Sequence, residues 1–176
     1  GLHFDQPFQF TALPGFGITV SQAWLDFSET QNPQDMRYPA GYDFRWLSPE
    51  TNADEPVTTP PAAALLNTWT GFYLKELSVR LPKDFADNGG NRIGFSVSDF
   101  MIDRNDKVSG RIAATNLIAA GSPGTVGSWA FTLDEISVGI VQSATISGQM
   151  RGQVGLPIFE AGEYLVYRAL LSANTD

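Results

Sequence analysis

Carboxylates are the one plentiful chemical resource of this chain, whose 176 residues include 19 Asp and Glu but a single histidine and no cysteine. Ser-His-Asp triads, Cys-His pairs and zinc sites therefore have almost no residues to draw on. The lone His3 is expected to have no catalytic role, because no orienting partner accompanies it. Two oxygen-based chemistries are left to weigh: glycosidic cleavage by a carboxylate pair, and calcium binding.

Glu76 and Glu135 are the first candidates, because each occupies the same place in a motif, F-x-L-x-E-[LI]-S-V, that occurs at 72–79 and again at 131–138. A glycoside hydrolase holds two carboxylates about 5–10 Å apart. The favoured alternative is an exposed charge beside a β-bulge, where it protects the strand. The sequence therefore assigns no catalytic residue and favours a protein that is not an enzyme.

Acidic loop residues are the candidates for a calcium site: Asp26, Glu29, Asp103 and Asp106. Ca²⁺ takes six to eight oxygen ligands, which loops of this kind supply in many proteins. The stretch 103–106 lacks the EF-hand pattern, however, since Lys107 takes the fifth position. It also suits a hairpin turn, so no cofactor is predicted and structural Ca²⁺ is the weaker alternative.

Aromatic residues offer a third kind of site, a platform for carbohydrate. Trp24 has the opposite strand parity to its apolar neighbours and is expected to be exposed. Trp46 and Tyr42 lie in a proline-rich stretch and are further candidates to face a ligand, although packing under a long loop is the favoured alternative. Trp69 and Trp129 open the two copies of the motif, and such symmetry is more typical of a core.

The composition excludes several classes of function. A net charge of −8 repels phosphate backbones, so no nucleic-acid partner is expected. The apolar stretches are far shorter than the ~20 residues of a membrane span, so no membrane insertion is expected. An apolar content of 43% indicates a folded globular chain. The leading glycine is typical of a fragment or a processed form of a longer protein.

Short runs rich in Phe, Val, Ile and Thr, separated by glycine and proline, predict an all-β fold. About ten short strands favour an antiparallel β-sandwich of jelly-roll or immunoglobulin type, with a closed barrel as the alternative. The best helix candidate, at 60–66, has one or two turns. The last strand, at 164–171, is apolar on both parities, which predicts cover on both faces.

The apolar parity changes at matching places along the chain. Ile18 and Val20 give way to the opposite parity in the next strand, and Phe95 and Val97 do the same. Side chains alternate along a strand, so a parity change implies an inserted residue, most simply a β-bulge. The two copies of the F-x-L-x-E motif change parity likewise, at their glutamates.

Together these matches predict one domain, 1–176, built from a duplicated unit. Its copies are 17–82 and 94–141, and 142–176 supply the closing strands. A proline-rich insertion, 31–67, interrupts the first copy. It is too proline-dense for central strands and too aromatic for a linker, so an ordered excursion that packs back on the sheet is expected, with 52–59 its most mobile part.

Several packing motifs, among them Ile18-Thr-Val-Ser, Leu25-Asp-Phe-Ser and Trp69-x-Gly-Phe-Tyr-Leu-Lys-Glu-Leu, resemble a recurring segment of very large uncharacterised bacterial proteins of the Bacteroidetes type. The resemblance implies a modular, repeat-bearing parent that is exported or surface-exposed, and it brings no catalytic residue.

The expected function is thus a non-catalytic structural or recognition module of an extracellular or cell-surface protein. Its partners would be a protein or carbohydrate ligand and neighbouring modules of the same polypeptide. The alternatives are a carbohydrate-binding module or carboxylate-pair glycoside hydrolase, and a scaffold component of an exported toxin or injection system.

Overall fold

A computed structural model describes residues 15–28, 30–33, 35–47, 56–62, 66–86, 90–119, 123–126, 129–158, 160 and 163–172. The described strands form one open sheet in which every pairing is antiparallel. They are β1 (Gly17–Val20), β2 (Ala23–Asp26), β3 (Gly71–Arg80), β4 (Gly94–Asp103), β5 (Val108–Ile118), β6 (Gly124–Val126), β7 (Trp129–Phe131), β8 (Leu133–Val141), β9 (Ala144–Gly155) and β10 (Leu165–Ser172).

The sheet order is β1-β3-β4-β5-β8-β9-β7-β6, with β2 also beside β3 and β10 also beside β9. The all-β prediction is confirmed, and the arrangement is consistent with a β-sandwich. Short 3-10 helices lie at Arg45–Leu47 and Lys83–Phe85. At the predicted helix, 60–66, residues 63–65 lie outside the described residues, and the amide of Leu66 donates to the carbonyl of Ala62 at 3.1 Å.

Three of the four predicted parity changes fall in one row across the sheet, which we call the switch row. β1 and β2 pair with β3 in a single register and are separated at Ser21–Gln22, opposite Glu76. β4 keeps its register with β3 through this row but shifts against β5 between Ser98 and Met101. β1–β2, β3 and β4 thus each contain an extra residue that β5 lacks, which confirms the prediction of an inserted residue.

The bulge in β4 is centred on Asp99, whose φ of 46° lies in the left-handed region that few non-glycine residues adopt. Gly110 of β5 lies beside it with a φ of 148°, and a Cβ at this position would be 2.9 Å from the Cα of Phe100. Only glycine permits this close approach of the two strands. The second motif is interrupted at Thr132, between β7 and β8. At the predicted position, the register of β5 against β8 shifts between Thr115, which pairs with Glu135, and Ile118, which pairs with Leu133.

The strand order does not confirm the predicted duplication. In the first unit, β1 and β2 are neighbours of β3. In the second unit, the corresponding strands are β4 and β8, and β5 lies between them. The matching parity of the short strands has a simpler source, because β1–β2 and β4 flank the same strand. Ile18 and Phe95, for example, both pair with Val79.

The C-terminal part differs from two predictions. The sequence pattern predicts two strands, at 145–149 and 153–158, where the structure has one long strand, β9. β10 pairs only with β9 among the described strands. β10 is therefore an edge strand and is not covered on both faces. Leu165, Val166 and Leu170 are 49%, 74% and 66% exposed.

One face of the sheet, here called the covered face, packs against the predicted insertion. Trp24, Tyr73, Met101 and Ser109 form a cross-strand row on this face. The buried core joins Tyr73, Met101 and Val141 to residues of the insertion and to Trp69, which is fully buried. For its described residues, the prediction that the insertion packs back on the sheet is confirmed.

The opposite face, here called the open face, is aliphatic and aromatic. Its first row contains Ile18, Val79, Phe95, Ala114, Ile136, Met150 and Ala169, and its second contains Val20, Leu77, Val97, Ile112 and Val138. Phe95, Ile112, Ile136 and Val138 are 36–45% exposed. All the buried side chains named in the core belong to the covered face and the insertion.

Candidate functional site

The insertion is fixed to the sheet by Tyr42, whose hydroxyl donates to Oδ2 of Asp103 at 3.0 Å. The other carboxylate oxygen of Asp103 accepts the amides of Asn105 and Lys107 at 2.8 and 3.2 Å, and so shapes the β4–β5 turn. Burial raises the pKa of the Tyr42 hydroxyl above its ordinary value, and the neighbouring carboxylate raises it further. Tyr42 is 1% exposed. It is a core residue here, not the predicted ligand-facing aromatic.

A second anchor joins the insertion to the β8–β9 turn. The side-chain amide of Gln142 donates to the carbonyl of Asp43 and accepts its amide, each at 2.9 Å. Burial opposes ionisation of Asp43, but hydrogen bonds from Arg45 and from the amide of Val57 outweigh it and lower the pKa of the carboxyl. The Asp43 side chain thus organises the insertion internally.

Trp46 packs at the edge of the core and is half-buried. The guanidinium of Arg104 lies 4.8 Å from its ring centroid and donates to its carbonyl oxygen at 3.0 Å. The cation thus occupies a ring face that a sugar would need. Packing, the favoured alternative at the sequence level, fits Trp46 better than ligand binding.

Trp24 lies in a different setting. It stacks on Tyr73 with ring centroids 6.0 Å apart. Trp24 is therefore half-buried, not exposed as the sequence predicts. It also lines a cleft of about 460 Å³, formed with Asp26 and with Ser28, Asn32 and other residues of the following loop. We call this the Trp24 cleft.

Two residues that line the Trp24 cleft each have an oxygen atom that is buried without a hydrogen-bond partner in the described part of the chain: Oδ2 of Asp26 and Oδ1 of Asn32. The remaining polar atoms of these side chains are engaged. Oδ1 of Asp26 accepts the amide of Ser28 at 2.9 Å, and the amide of Asn32 donates to Tyr38 at 3.1 Å and to the carbonyl of Leu66 at 2.6 Å. Both side chains are thus held in place with one acceptor oxygen unused.

The electrostatics of Tyr38 agree with this placement. Burial raises the pKa of its hydroxyl, the hydrogen bond from Asn32 opposes the rise, and the negative charge of Asp26 adds to it. The Asp26 carboxylate thus raises the pKa of the Tyr38 hydroxyl, which is the same group that accepts a hydrogen bond from Asn32. A buried acceptor without a hydrogen bond costs about 1–3 kcal/mol.

The predicted calcium ligands do not converge. Asp26 and Asp103 both pair with Gly71, on opposite sides of β3, so two strand spacings of about 4.8 Å separate their backbones. Asp106 is an exposed turn residue with a φ of 58°. Glu29 lies outside the described residues. No group of three or more His, Cys, Asp or Glu side chains occurs in the part of the chain that the structure describes.

The predicted carboxylate pair is also far apart. Glu76 on β3 and Glu135 on β8 are separated by β4 and β5, which amounts to roughly 14 Å across the sheet. This exceeds the separation that a glycosidase uses. Glu76 is exposed at the switch row, as the alternative interpretation held. Glu135 pairs with Arg111 at 2.6 Å and lies 3.7 Å from Arg151.

A smaller cleft of about 330 Å³ lies where the insertion crosses the switch row, between Arg37 and Tyr38 on one side and Asp99 and Arg111 on the other. Two of its charged groups are already engaged. Asp99 accepts the hydroxyl of Tyr73 at 2.7 Å, and Arg111 is paired with Glu135. The Trp24 cleft is therefore the better candidate site.

The sequence named Trp24 and Asp26, but for separate sites, and it missed Asn32. An Asx side chain before a proline in a loop is a common turn signal, so nothing local marked Asn32 as a ligand-facing residue. Its position depends on the carbonyl of Leu66, which lies at the far end of the insertion.

No protein-family model, curated protein or solved structure matches this chain. Within the described residues, no helix combines the length and hydropathy needed to cross a bilayer.

Proposed function

We propose that this chain is a non-catalytic recognition module of a larger bacterial exported or surface protein, and that it binds carbohydrate in the Trp24 cleft. The observation that carries the proposal is a cleft lined by Trp24 and by two side chains, those of Asp26 and Asn32, which each have a buried acceptor oxygen without a partner among the described residues. Sugars present hydroxyl donors together with an apolar face of C–H groups. A cleft with one aromatic wall and a few fixed polar groups suits such ligands.

The charge distribution supports binding without hydrolysis. Glu76 and Glu135, the carboxylates with matching sequence positions, are too far apart to act on one glycosidic bond. Asp26 is the ionisable side chain among the cleft residues named above, and a single carboxylate serves recognition rather than paired acid–base chemistry. The acidic surface argues equally against a nucleic-acid ligand.

The decisive variant is Asp26→Asn. The amide keeps an oxygen for the Ser28 amide but replaces the unpartnered acceptor with a donor. Calorimetric titration with cello-, xylo- and manno-oligosaccharides should show binding by the natural chain. The variant should bind about 10-fold or more weakly, which corresponds to the loss of one hydrogen bond to a charged group.

Stability supplies the second readout. Because Oδ2 of Asp26 is buried and has no hydrogen-bond partner among the described residues, the Asp26→Asn variant should have an unchanged or increased free energy of unfolding. Trp24→Ala should abolish sugar-dependent fluorescence quenching, whereas Trp129→Ala, at a tryptophan that is 51% exposed on β7, should not. Equal binding by the natural chain and Asp26→Asn, or no binding across the panel, would refute the proposal.

A further inference from the structure

The open face has the composition of an interface and no cover among the described residues. Its first row crosses seven strands and its second row crosses five of them. Neither row contains a charged side chain. These two rows, the upper rows, lie on one side of the switch row. On its other side, the apolar surface continues as a lower extension over Leu25, Phe72, Leu74, Phe100 and Ile102. The whole chain has a net charge of −8, so this uncharged area is distinctive. Exposed apolar patches of this extent mark interaction sites.

The size of the face indicates what covers it. With strands about 4.8 Å apart and residues about 3.3 Å apart, the two upper rows and the lower extension occupy on the order of 650 Å². Burial on two partners would then total about 1,300 Å², within the ~1,200–2,000 Å² of a specific interface. A single extended peptide would cover a strip only about 5–10 Å wide. The occupant must therefore be another sheet.

We propose that the open face packs against the open face of a second copy of this chain, which gives a two-layer β-sandwich across a two-fold axis. A two-fold contact places the same patch on both copies, and a flat face without charges brings no like charges together. Sheet layers pack about 10 Å apart through interdigitating apolar side chains, which both rows provide. The two-layer architecture expected from the sequence would then be completed between chains.

Analytical ultracentrifugation of the full chain over a wide concentration range tests the proposal. The natural chain should show the mass of a dimer as concentration rises. Ile112→Lys should raise the dissociation constant roughly 10-fold or more, because it buries an unpaired charge at the centre of the contact. Ile158→Lys, at an 84% exposed loop residue, is the matched control and should dimerise like the natural chain.

The β10 edge offers a competing mode of association, by strand pairing, and Val166→Lys distinguishes it. Val166 is 74% exposed on that edge. If Val166→Lys disrupts the dimer and Ile112→Lys does not, the face-to-face proposal is wrong. A natural chain that stays monomeric at every concentration overturns it as well.

Folding of the variants is verified by circular dichroism, and Val138→Thr provides a milder change should Ile112→Lys fail to fold. Threonine retains β-branched shape but adds a hydroxyl, so Val138→Thr should weaken the dimer measurably. Because the chain contains no cysteine, a spin label attaches only at the introduced Ile112→Cys, and the distance between the labels of two copies can be measured. It should report a short copy-to-copy distance, while the same label on Ile158→Cys should not.

Discussion

The two faces of this sheet are built on different principles. The covered face combines aromatic rings with polar groups, and its contacts with the insertion are specific hydrogen bonds, such as Tyr42 to Asp103 and Gln142 to Asp43. The open face has only apolar side chains in its two rows, with exposures of 36–45% at Phe95, Ile112, Ile136 and Val138. One face is completed within the chain, and the other is left to a partner.

The difference shows how buried polar groups specify an arrangement that apolar contact alone does not. Buried acceptors such as Asp103 must be matched by particular donors, so the insertion has one position on the sheet. An aliphatic face tolerates many partners of suitable size. The covered face should therefore determine stability of the monomer, and the open face its association.

The largest expected effect concerns Trp69 and Trp129, which lie three residues and two residues before the two copies of the sequence motif. Trp69 is fully buried under the insertion, whereas Trp129 is 51% exposed. Trp69→Ala should lower the free energy of unfolding by about 3–5 kcal/mol, because it opens a cavity in the core. Trp129→Ala should cost less than about 1.5 kcal/mol.

Urea denaturation of both variants measures this difference directly. Equal losses at the two positions would mean that the covered face is not the principal core. Unfolding midpoints should be compared at low protein concentration, so that association does not contribute.

The second-largest effect is expected at alkaline pH, which should destabilise the covered face. Burial raises the pKa of Tyr38, Tyr42 and Tyr73 in the folded state, so folding favours the protonated hydroxyls. This stability is fully present below the unfolded-state pKa of about 10 and is lost as pH rises above it. Each fully buried tyrosine should cost about 1.4 kcal/mol per pH unit in that range.

Stability measured from pH 9 to 11.5, together with tyrosinate absorbance, follows this loss. Tyr42→Phe should be less stable at neutral pH, because Asp103 loses a hydrogen bond, but its stability should fall less steeply above pH ~10. An unchanged slope in Tyr42→Phe would exclude this tyrosine from the alkaline transition.

The smallest effect is expected on the open face. Phe95 and Met101 lie on the same strand, β4, but on opposite faces, and Met101 is fully buried while Phe95 is 44% exposed. In the monomer, Phe95→Ala should lower the free energy of unfolding by about 1 kcal/mol, against about 2–5 kcal/mol for Met101→Ala. Chemical denaturation at two protein concentrations checks both values. A larger loss for Phe95→Ala in dilute protein would show that the open face is covered within one chain.

Much of the fold was predictable because it depends on local alternation. Strand character, the ordered insertion and the parity changes follow from side-chain period alone, and the structure places three of those changes in one row. The predicted duplication is not confirmed, because pattern cannot distinguish copied strands from strands that flank a common neighbour. Ile18 and Phe95 match because both pair with Val79.

The candidate site was predictable only in fragments. Trp24 and Asp26 were visible as an aromatic and a carboxylate on one strand, but their link to Asn32 depends on the path of the insertion back to Leu66. Tyr42 and Trp46 are candidates for ligand-facing aromatics at the sequence level because they lie in a proline-rich stretch. Their burial depends on Asp103 and Arg104, which are distant in sequence.

The sequence by itself determined that carboxylates are its only abundant chemical groups and that its strands change face at set positions, because composition and side-chain period are local properties. The tertiary structure alone decided which carboxylates stand apart and which acceptors are left without partners. It also decided which apolar face the insertion covers. These depend on strand order and on contacts between residues far apart in the chain, which no local pattern encodes.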